Sequence, residues 1–221
     1  WVNEESNSAI IVDPGDAVPV LNFLQKNNIT LSTIFITHKH ADHSGGIAKL
    51  LSVYPSIPVY AHAIEKISHV THFVEHHEIF TVENWVEPFR VMHIPGHTLG
   101  HVAFYSDGIL FSGDTLFASG CGRIFEGTAE QMYASLSSLA ALPDETKMYC
   151  GHEYTLANLR FAECVEPDNV DVQQRITAVE DMYSKNIPSL PSTIGLEKRT
   201  NPFLRCTEKS VRASVENHVN R

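Results

Sequence analysis

Short apolar runs alternate with segments of helical spacing along most of the chain. The run from Ala9 to Val12, with Ile10 and Ile11 at its centre, stops at Asp13-Pro14-Gly15-Asp16, which predicts a strand ended by turn chemistry. Val20, Leu21 and Leu24 then fall on one face, predicting a helix over Val18 to Lys26. Thr33 to Thr37 reads as a nearly continuous apolar strand. After Gly45-Gly46 a second helical pattern runs through Ile47, Leu50 and Leu51 and ends before Pro55. Further strands are predicted at Val59 to Ala61, Glu78 to Val82, Phe89 to Ile94, Val102 to Tyr105, Ile109 to Phe111 and Lys147 to Cys150. Short strands interleaved with helices imply sheets covered by helices and exclude an all-α protein.

The period changes at Thr128, a suitable N-cap before Glu130 and Gln131, where Met132, Leu136, Leu139 and Leu142 mark one helical face. After His152 the pattern becomes helical throughout. Leu156, Leu159 and Phe161 define one segment, and Val172, Ile176, Val179 and Met182 another, separated by Glu166-Pro167-Asp168-Asn169. Ile187 to Ile194, with Pro188 and Pro191, predicts an extended connection, and Val211 to Val219 a final helix. Two parts are therefore expected, an α/β part over 1–153 and a helical part over 154–221.

Composition narrows the classes. A chain of 221 residues is long enough for one large domain or one and a half, which excludes a disulfide-stapled miniprotein. Lys+Arg 16 against Asp+Glu 26 gives a net charge of −10, which argues against nucleic acid as a partner. No apolar run reaches the 18 residues of a membrane helix and no signal-peptide pattern precedes the first strand, so a soluble cytoplasmic monomer is expected. The chain begins at Trp1 and not at a methionine, which leaves targeting open. Cys121, Cys150, Cys164 and Cys206 are widely spaced, with no C-x-x-C, and fit packing in a reducing compartment.

The unusual count is histidine, with 13 residues. His38, His40, Asp42 and His43 fall within six positions between a predicted strand and a helix, where α/β proteins commonly place sites. A lone histidine is an ordinary surface or packing residue, whereas H-x-H-x-D-H concentrates imidazole and carboxylate donors suited to a transition metal. Four donors exceed the three that a single open tetrahedral ion needs, which points to two ions. His97 follows Ile94-Pro95-Gly96, Asp114 follows Phe111-Ser112-Gly113, and His152 follows Tyr149-Cys150-Gly151. Each of these is a strand, a glycine and then a donor, and together they complete seven candidate ligands. His69, His72, His76, His77 and His218 lack that grammar and read as surface residues. His101, four residues after His97, reads as a group that orients a ligand and not as a ligand itself.

The motifs T-H-K-H-A-D-H-S-G-G, I-P-G-H-T-L-G-H, F-S-G-D-T-L-F and C-G-H-E-Y-T, in this order, resemble those of the metallo-β-lactamase-fold hydrolases. G-C-G-R-I-F-E-G-T and the tail N-P-F-L-R resemble, more closely, the bacterial hydroxyacylglutathione hydrolase (glyoxalase II) family. The resemblance implies a four-layer αββα sandwich followed by a small C-terminal helical domain. It implies a first metal held by His38, His40 and His97, a second held by Asp42, His43 and His152, and Asp114 bridging them. Zinc is the expected metal, with iron and manganese suited to the same donors. The implied nucleophile is a metal-bridging hydroxide, with no side-chain nucleophile, acting on a glutathione thioester such as S-D-lactoylglutathione in methylglyoxal detoxification. Glutathione-binding positions carried over are Arg123, Phe125, Tyr154, Arg205 and Lys209. Phe125 stands where other family members have tyrosine, which removes one hydroxyl contact. An alternative on the same fold is a glutathione persulfide dioxygenase with one iron, against which the complete second donor set and the helical tail both stand.

Overall fold

The computed structural model describes residues 1–219. Two sheets lie at its centre. The first has the order β1 (Val2–Asn3), β2 (Ser8–Val12), β3 (Thr30–Phe35), β4 (Val59–His62) and β5 (His72–Val74), parallel except where β1 meets β2. The second joins β6 (Ile79–Phe80), β7 (Phe89–His93), β8 (Val102–Ser106) and β9 (Ile109–Gly113) as an antiparallel meander. A small hairpin, β10 (Leu116–Phe117) with β11 (Gly120–Cys121), stands apart. The second sheet continues with β12 (Lys147–Cys150), parallel to β9, and ends with β13 (Ser192–Thr193).

Alternation along the strands builds the layers, because successive side chains point to opposite faces. Ile10 and Phe35 face inward and pack with Phe89, Val91, Val102 and Phe104 of the other sheet, Phe35 stacking on Phe104 at 4.5 Å. Their neighbours Ala9 and Ile34 face outward, against Ala17 and Leu24 of α1 (Ala17–Asn27) and Ile47 and Leu50 of α3 (Ile47–Val53). Between those helices lies the single turn α2 (Ala41–Ser44). On the far side, Met92, Leu110 and Met148 pack on Met132, Leu136 and Leu139 of α4 (Ala129–Ala140). The result is helix, sheet, sheet, helix. Thr128 caps α4 through a reciprocal capping box with Gln131, at 3.2 and 2.9 Å.

The remaining helices are α5 (Thr155–Val165), α6 (Val170–Ser184), α7 (Ile194–Thr200) and α8 (Lys209–Val219). Leu159 and Ala162 of α5 pack on Val172, Ile176 and Val179 of α6. Phe161, in the same helical segment, is 51% exposed, because it lies two positions, roughly 200° of helical turn, from Leu159. Met182 is also partly exposed at the last turn of α6. The expected extended connection over 187–194 holds in part. It contains β13, which returns into the second sheet, and Thr193 then caps the unforeseen α7. The strand expected over Thr33 to Thr37 shifts to Thr30–Phe35, since the Thr37 N–H leaves the ladder to bond the Asp13 carboxylate at 2.7 Å. No helix among the described residues is long and apolar enough to cross a membrane.

Candidate metal centre

All the candidate ligands follow strands whose carboxyl ends lie together. The parallel β2 and β3 bring Asp13 next to the loop of His38, His40 and the short α2, which carries Asp42 and His43. In the second sheet β7, β9 and β12 run in one direction, so His97, Asp114 and His152 emerge at one end. The glycine before each of two ligands has a steric reason. A Cβ on Gly113, whose φ is +50°, would lie 2.4 Å from Thr37 Oγ1, and one on Gly151 would lie 2.3 Å from Asp114 Oδ1.

The donors converge. His40 Nδ1 lies 3.0 Å from both His38 Nε2 and His97 Nε2. His152 Nε2 lies 3.3 Å from both His43 Nε2 and Asp42 Oδ2. Asp114 spans the two groups, with Oδ1 3.4 Å from His43 Nε2 and Oδ2 3.6 and 3.5 Å from His97 and His152 Nε2. Two ligands on a tetrahedral ion at bond lengths of about 2.0–2.1 Å stand about 3.3–3.4 Å apart, close to this spacing. His38, His40 and His97 form one group of mutually close donors, and Asp42, His43 and His152 another.

Hydrogen bonds outside the cluster set the tautomers that a metal requires. Thr37 Oγ1 donates to Asp13 Oδ2 at 2.7 Å, so His38 Nδ1 donates to that hydroxyl at 3.0 Å and its Nε2 carries no proton. His43 Nδ1 donates to Asp13 Oδ2 at 3.0 Å, and His97 Nδ1 donates to the Arg123 carbonyl at 2.7 Å. Three imidazoles thus present bare Nε2 atoms inward. Asp114 Oδ1 is buried and has no hydrogen-bond partner, an expensive state that a cation relieves. The donor set therefore fits divalent metal ions. Burial and the surrounding imidazoles push His38 far below the ordinary histidine range. Burial opposes protonation of His43 as well, but the Asp114 and Asp13 carboxylates outweigh it and raise it to about 10 without metal, and a cation at Nε2 would meet the same carboxylate field in place of that proton.

In the sequence Asp13 is only a turn residue after a strand, yet it orients both His43 and, through Thr37, His38. Its signal is a carboxylate at a strand end, the position Asp114 also occupies, but on the near side of its glycine. His101 is fully buried, stacks on His38 at 4.7 Å and accepts the Asp114 N–H at 3.1 Å on Nε2, the orienting placement expected of it. Burial pushes the Cys121 and Cys150 thiols up to about 12, and all four cysteines are unpaired.

A cleft of about 470 Å³ opens over the cluster, lined by His40, Asp42, His97, Asp114 and His152 together with Phe117, Arg123, Phe125 and Tyr154. The Arg123 guanidinium lies over the Phe125 ring at 5.1 Å, and Tyr154 stacks on His152 at 5.1 Å. Arg205 is elsewhere, in a bidentate pair with Glu166 at 2.7 and 3.0 Å that lines a second cavity. Lys209 opens α8 and lines neither cavity.

The sequence profile of the Metallo-beta-lactamase superfamily matches residues 1–152, and that of the Hydroxyacylglutathione hydrolase C-terminus matches residues 153–221. A hydroxyacylglutathione hydrolase of Nitrosomonas eutropha is 49% identical over 100% of this chain and 86% of its own length. The chain belongs to the hydroxyacylglutathione hydrolase family. Among solved structures of the wider metallo-beta-lactamase superfamily, BLEG-1 B3 metallo-beta-lactamase matches with a TM-score of 0.70 at 26% identity, covering 92% of this chain and 91% of that one. A di-iron-bound form of TTHA1623 matches with a TM-score of 0.63 at 28% identity, covering 88% of each chain. Membership of the hydroxyacylglutathione hydrolases joins the donor cluster to a thioesterase lineage and fits the sandwich-plus-helices architecture.

Proposed function

We propose that this protein hydrolyses S-D-lactoylglutathione, and other S-2-hydroxyacylglutathiones, to the 2-hydroxy acid and glutathione, the second step of methylglyoxal detoxification. The observation that carries the reading is the orphaned Asp114 carboxylate, standing between two three-donor groups on the floor of a cleft walled by Arg123. His38, His40 and His97 would hold one ion, Asp42, His43 and His152 the other, and Asp114 would serve both. Zinc is our assignment, on the imidazole and carboxylate donors. Held by these residues, divalent ions would supply Lewis acidity, making a water nucleophilic near neutral pH and polarising the carbonyl under attack.

The chain's own residues supply the rest. Asp13 holds the His43 ring, and through Thr37 the His38 ring, so that the donors do not rearrange during turnover. The Arg123 guanidinium is a cation in the cleft wall, suited to a glutathione carboxylate, and Phe125 braces it from below. Phe125 also packs edge-on against His40 and His97 at 5.4 and 5.2 Å and shields that side from water. Tyr154 offers a flat, half-exposed ring beside His152 for the peptide portion. A thiolate leaves readily, its conjugate acid having a pKa of about 8.5, so no dedicated general acid is needed.

In this reading residues 1–153 carry the chemistry and 154–221 complete the substrate site. Arg205 and Lys209 enter it only on family resemblance, and Arg205 would have to exchange Glu166 for a substrate carboxylate. Loss of thioester absorbance with S-D-lactoylglutathione, abolished by a chelator and restored by zinc, tests the proposal. The rival persulfide dioxygenase is disfavoured by 49% identity to a hydrolase along the whole chain. Oxygen uptake with glutathione persulfide, in a protein inert toward the thioester, would reverse that choice.

A further inference from the structure

We infer that Glu65 is a positioning residue for the metal centre, fixing the spacing between the loop of His38 and His40 and the loop of His97. The inference rests on the metal reading above. Glu65 ends a single 3₁₀ turn, Ala63–Glu65, that follows β4, and its side chain is buried. Its Oε2 accepts the Lys39 N–H at 2.7 Å, and its Oε1 accepts the Gly100 N–H at 2.8 Å. Lys39 lies between His38 and His40, and Gly100 lies between His97 and His101. One carboxylate therefore grips the peptide link inside each ligand loop.

The grip is needed because the two loops leave different sheets, β3 in one and β7 in the other. Sheet hydrogen bonds do not set the distance between them. Among the described residues, the backbone bond that joins the two loop regions is Val102 N–H to the Thr37 carbonyl, at 2.9 Å. Glu65 adds two charge-assisted bonds on the other side of His38, at Lys39, and such bonds are roughly twice as strong as neutral ones. An outer bracket runs parallel to it. Lys39 Nζ pairs with Glu126 Oε1 at 2.5 Å, and Glu126 Oε2 accepts the Leu99 N–H at 3.0 Å. That pair is partly exposed and screened, whereas Glu65 acts in the dry interior.

Two features argue that Glu65 is placed for this contact. No Lys or Arg nitrogen lies within ion-pair distance of it among the described residues, and a buried carboxylate without such compensation is costly unless strong donors face it. Gly100 is the residue that lets it approach, since a Cβ there would lie 2.7 Å from Oε1. Without Glu65, the 3.0 Å approach of His40 Nδ1 to His97 Nε2 rests on the Val102–Thr37 backbone bond and the partly exposed Lys39–Glu126 bracket.

The test is stepwise zinc binding to wild-type and Glu65→Gln protein by chelator competition, with kcat and KM measured on the reloaded enzyme. Glutamine keeps one acceptor oxygen and turns an N–H donor toward the other amide. One of the two binding steps is expected to weaken 10–100-fold, the range for groups that orient a metal ligand. The other step should change less than threefold, and kcat should fall at constant KM. Two unchanged binding steps, or equal weakening of both together with a rise in KM, would overturn the inference. Wild-type protein that binds no zinc sinks the metal reading and this inference with it, whereas wild type binding two ions beside an unaffected variant sinks this inference alone. Should the variant fail to fold, hydrogen exchange on metal-free wild-type protein decides the matter. Lys39 and Gly100 amides protected before metal arrives support the bracket, and exchange at the unfolded-chain rate refutes it.

Discussion

Replacing Arg175 with methionine removes the cation from the most deeply buried Lys or Arg ion pair among the described residues. Arg175 of α6 and Glu197 of α7 are 6% and 0% exposed and meet at 2.7 Å. The guanidinium also donates to Ser119 Oγ and Ser192 Oγ at 2.9 Å each and to Thr200 Oγ1 at 2.5 Å. Glu197 accepts the Ser119 N–H at 2.7 Å and Asn201 Nδ2 at 3.1 Å, while Asn201 Nδ2 reaches the Phe117 and Gly120 carbonyls at 3.2 and 2.9 Å. The cluster thus ties α6 and α7 to the β10–β11 hairpin, whose Phe117 forms part of the cleft wall. Arg175→Met strands a buried carboxylate, a loss of about 3–5 kcal/mol. For a chain of this size each kcal/mol moves Tm by about 2–4 °C, so a fall of roughly 6–20 °C is expected. Scanning calorimetry at fixed metal loading measures it, because bound ligand would otherwise shift Tm. The double variant Arg175→Met with Glu197→Gln should recover part of the loss, since no charge is left unpaired and the amide oxygen still accepts the Ser119 N–H. A fall below 2 °C for Arg175→Met, or a double variant no more stable than the sum of the singles, would refute the reasoning.

Other consequences are equally direct. Asp114→Ala should lose bound metal and reduce turnover more than about 100-fold, beyond the range for groups that only orient ligands; elemental analysis with kcat checks both. Arg123→Ala should raise KM about 10–100-fold with kcat nearly unchanged, the worth of one charge-assisted hydrogen bond of about 1.5–3 kcal/mol. The Arg205 guanidinium beside Glu166 holds its carboxyl below the usual carboxylate range. That depressed value stabilises the fold above the unfolded pKa of about 4.3 and is lost as pH falls through the folded value. Urea unfolding of wild type and Glu166→Gln should therefore differ by about 1.5 kcal/mol at pH 7 and converge below the folded value.

Much of the site was legible because its ligands share a local grammar. A strand, a glycine and a donor can be seen within four residues, and a Cβ at 113 would strike Thr37 and His101, one at 151 Asp114 and His43. Asp13 escaped because its partners, Thr37 and His43, lie 24 and 30 residues away, and nothing local separates an orienting carboxylate from a turn residue. The pairing of Arg205 with Glu166 escaped for the same reason, the two lying 39 residues apart. The layers followed from alternation in β2 and β3, whereas α7 was hidden behind Pro188 and Pro191, which signal extension more strongly than Thr193 signals a cap. Phe161 shows the limit of reading apolar residues without phase, since Leu159 and Phe161 cannot share a helical face.

The central claim is that the convergent donors serve thioester hydrolysis. It is tested most directly by measuring metal content and S-D-lactoylglutathione hydrolysis on the same purified protein. Two divalent ions per chain are expected, with turnover that vanishes on chelation and returns with zinc. Two bound ions without thioesterase activity, or activity indifferent to chelation, would contradict it.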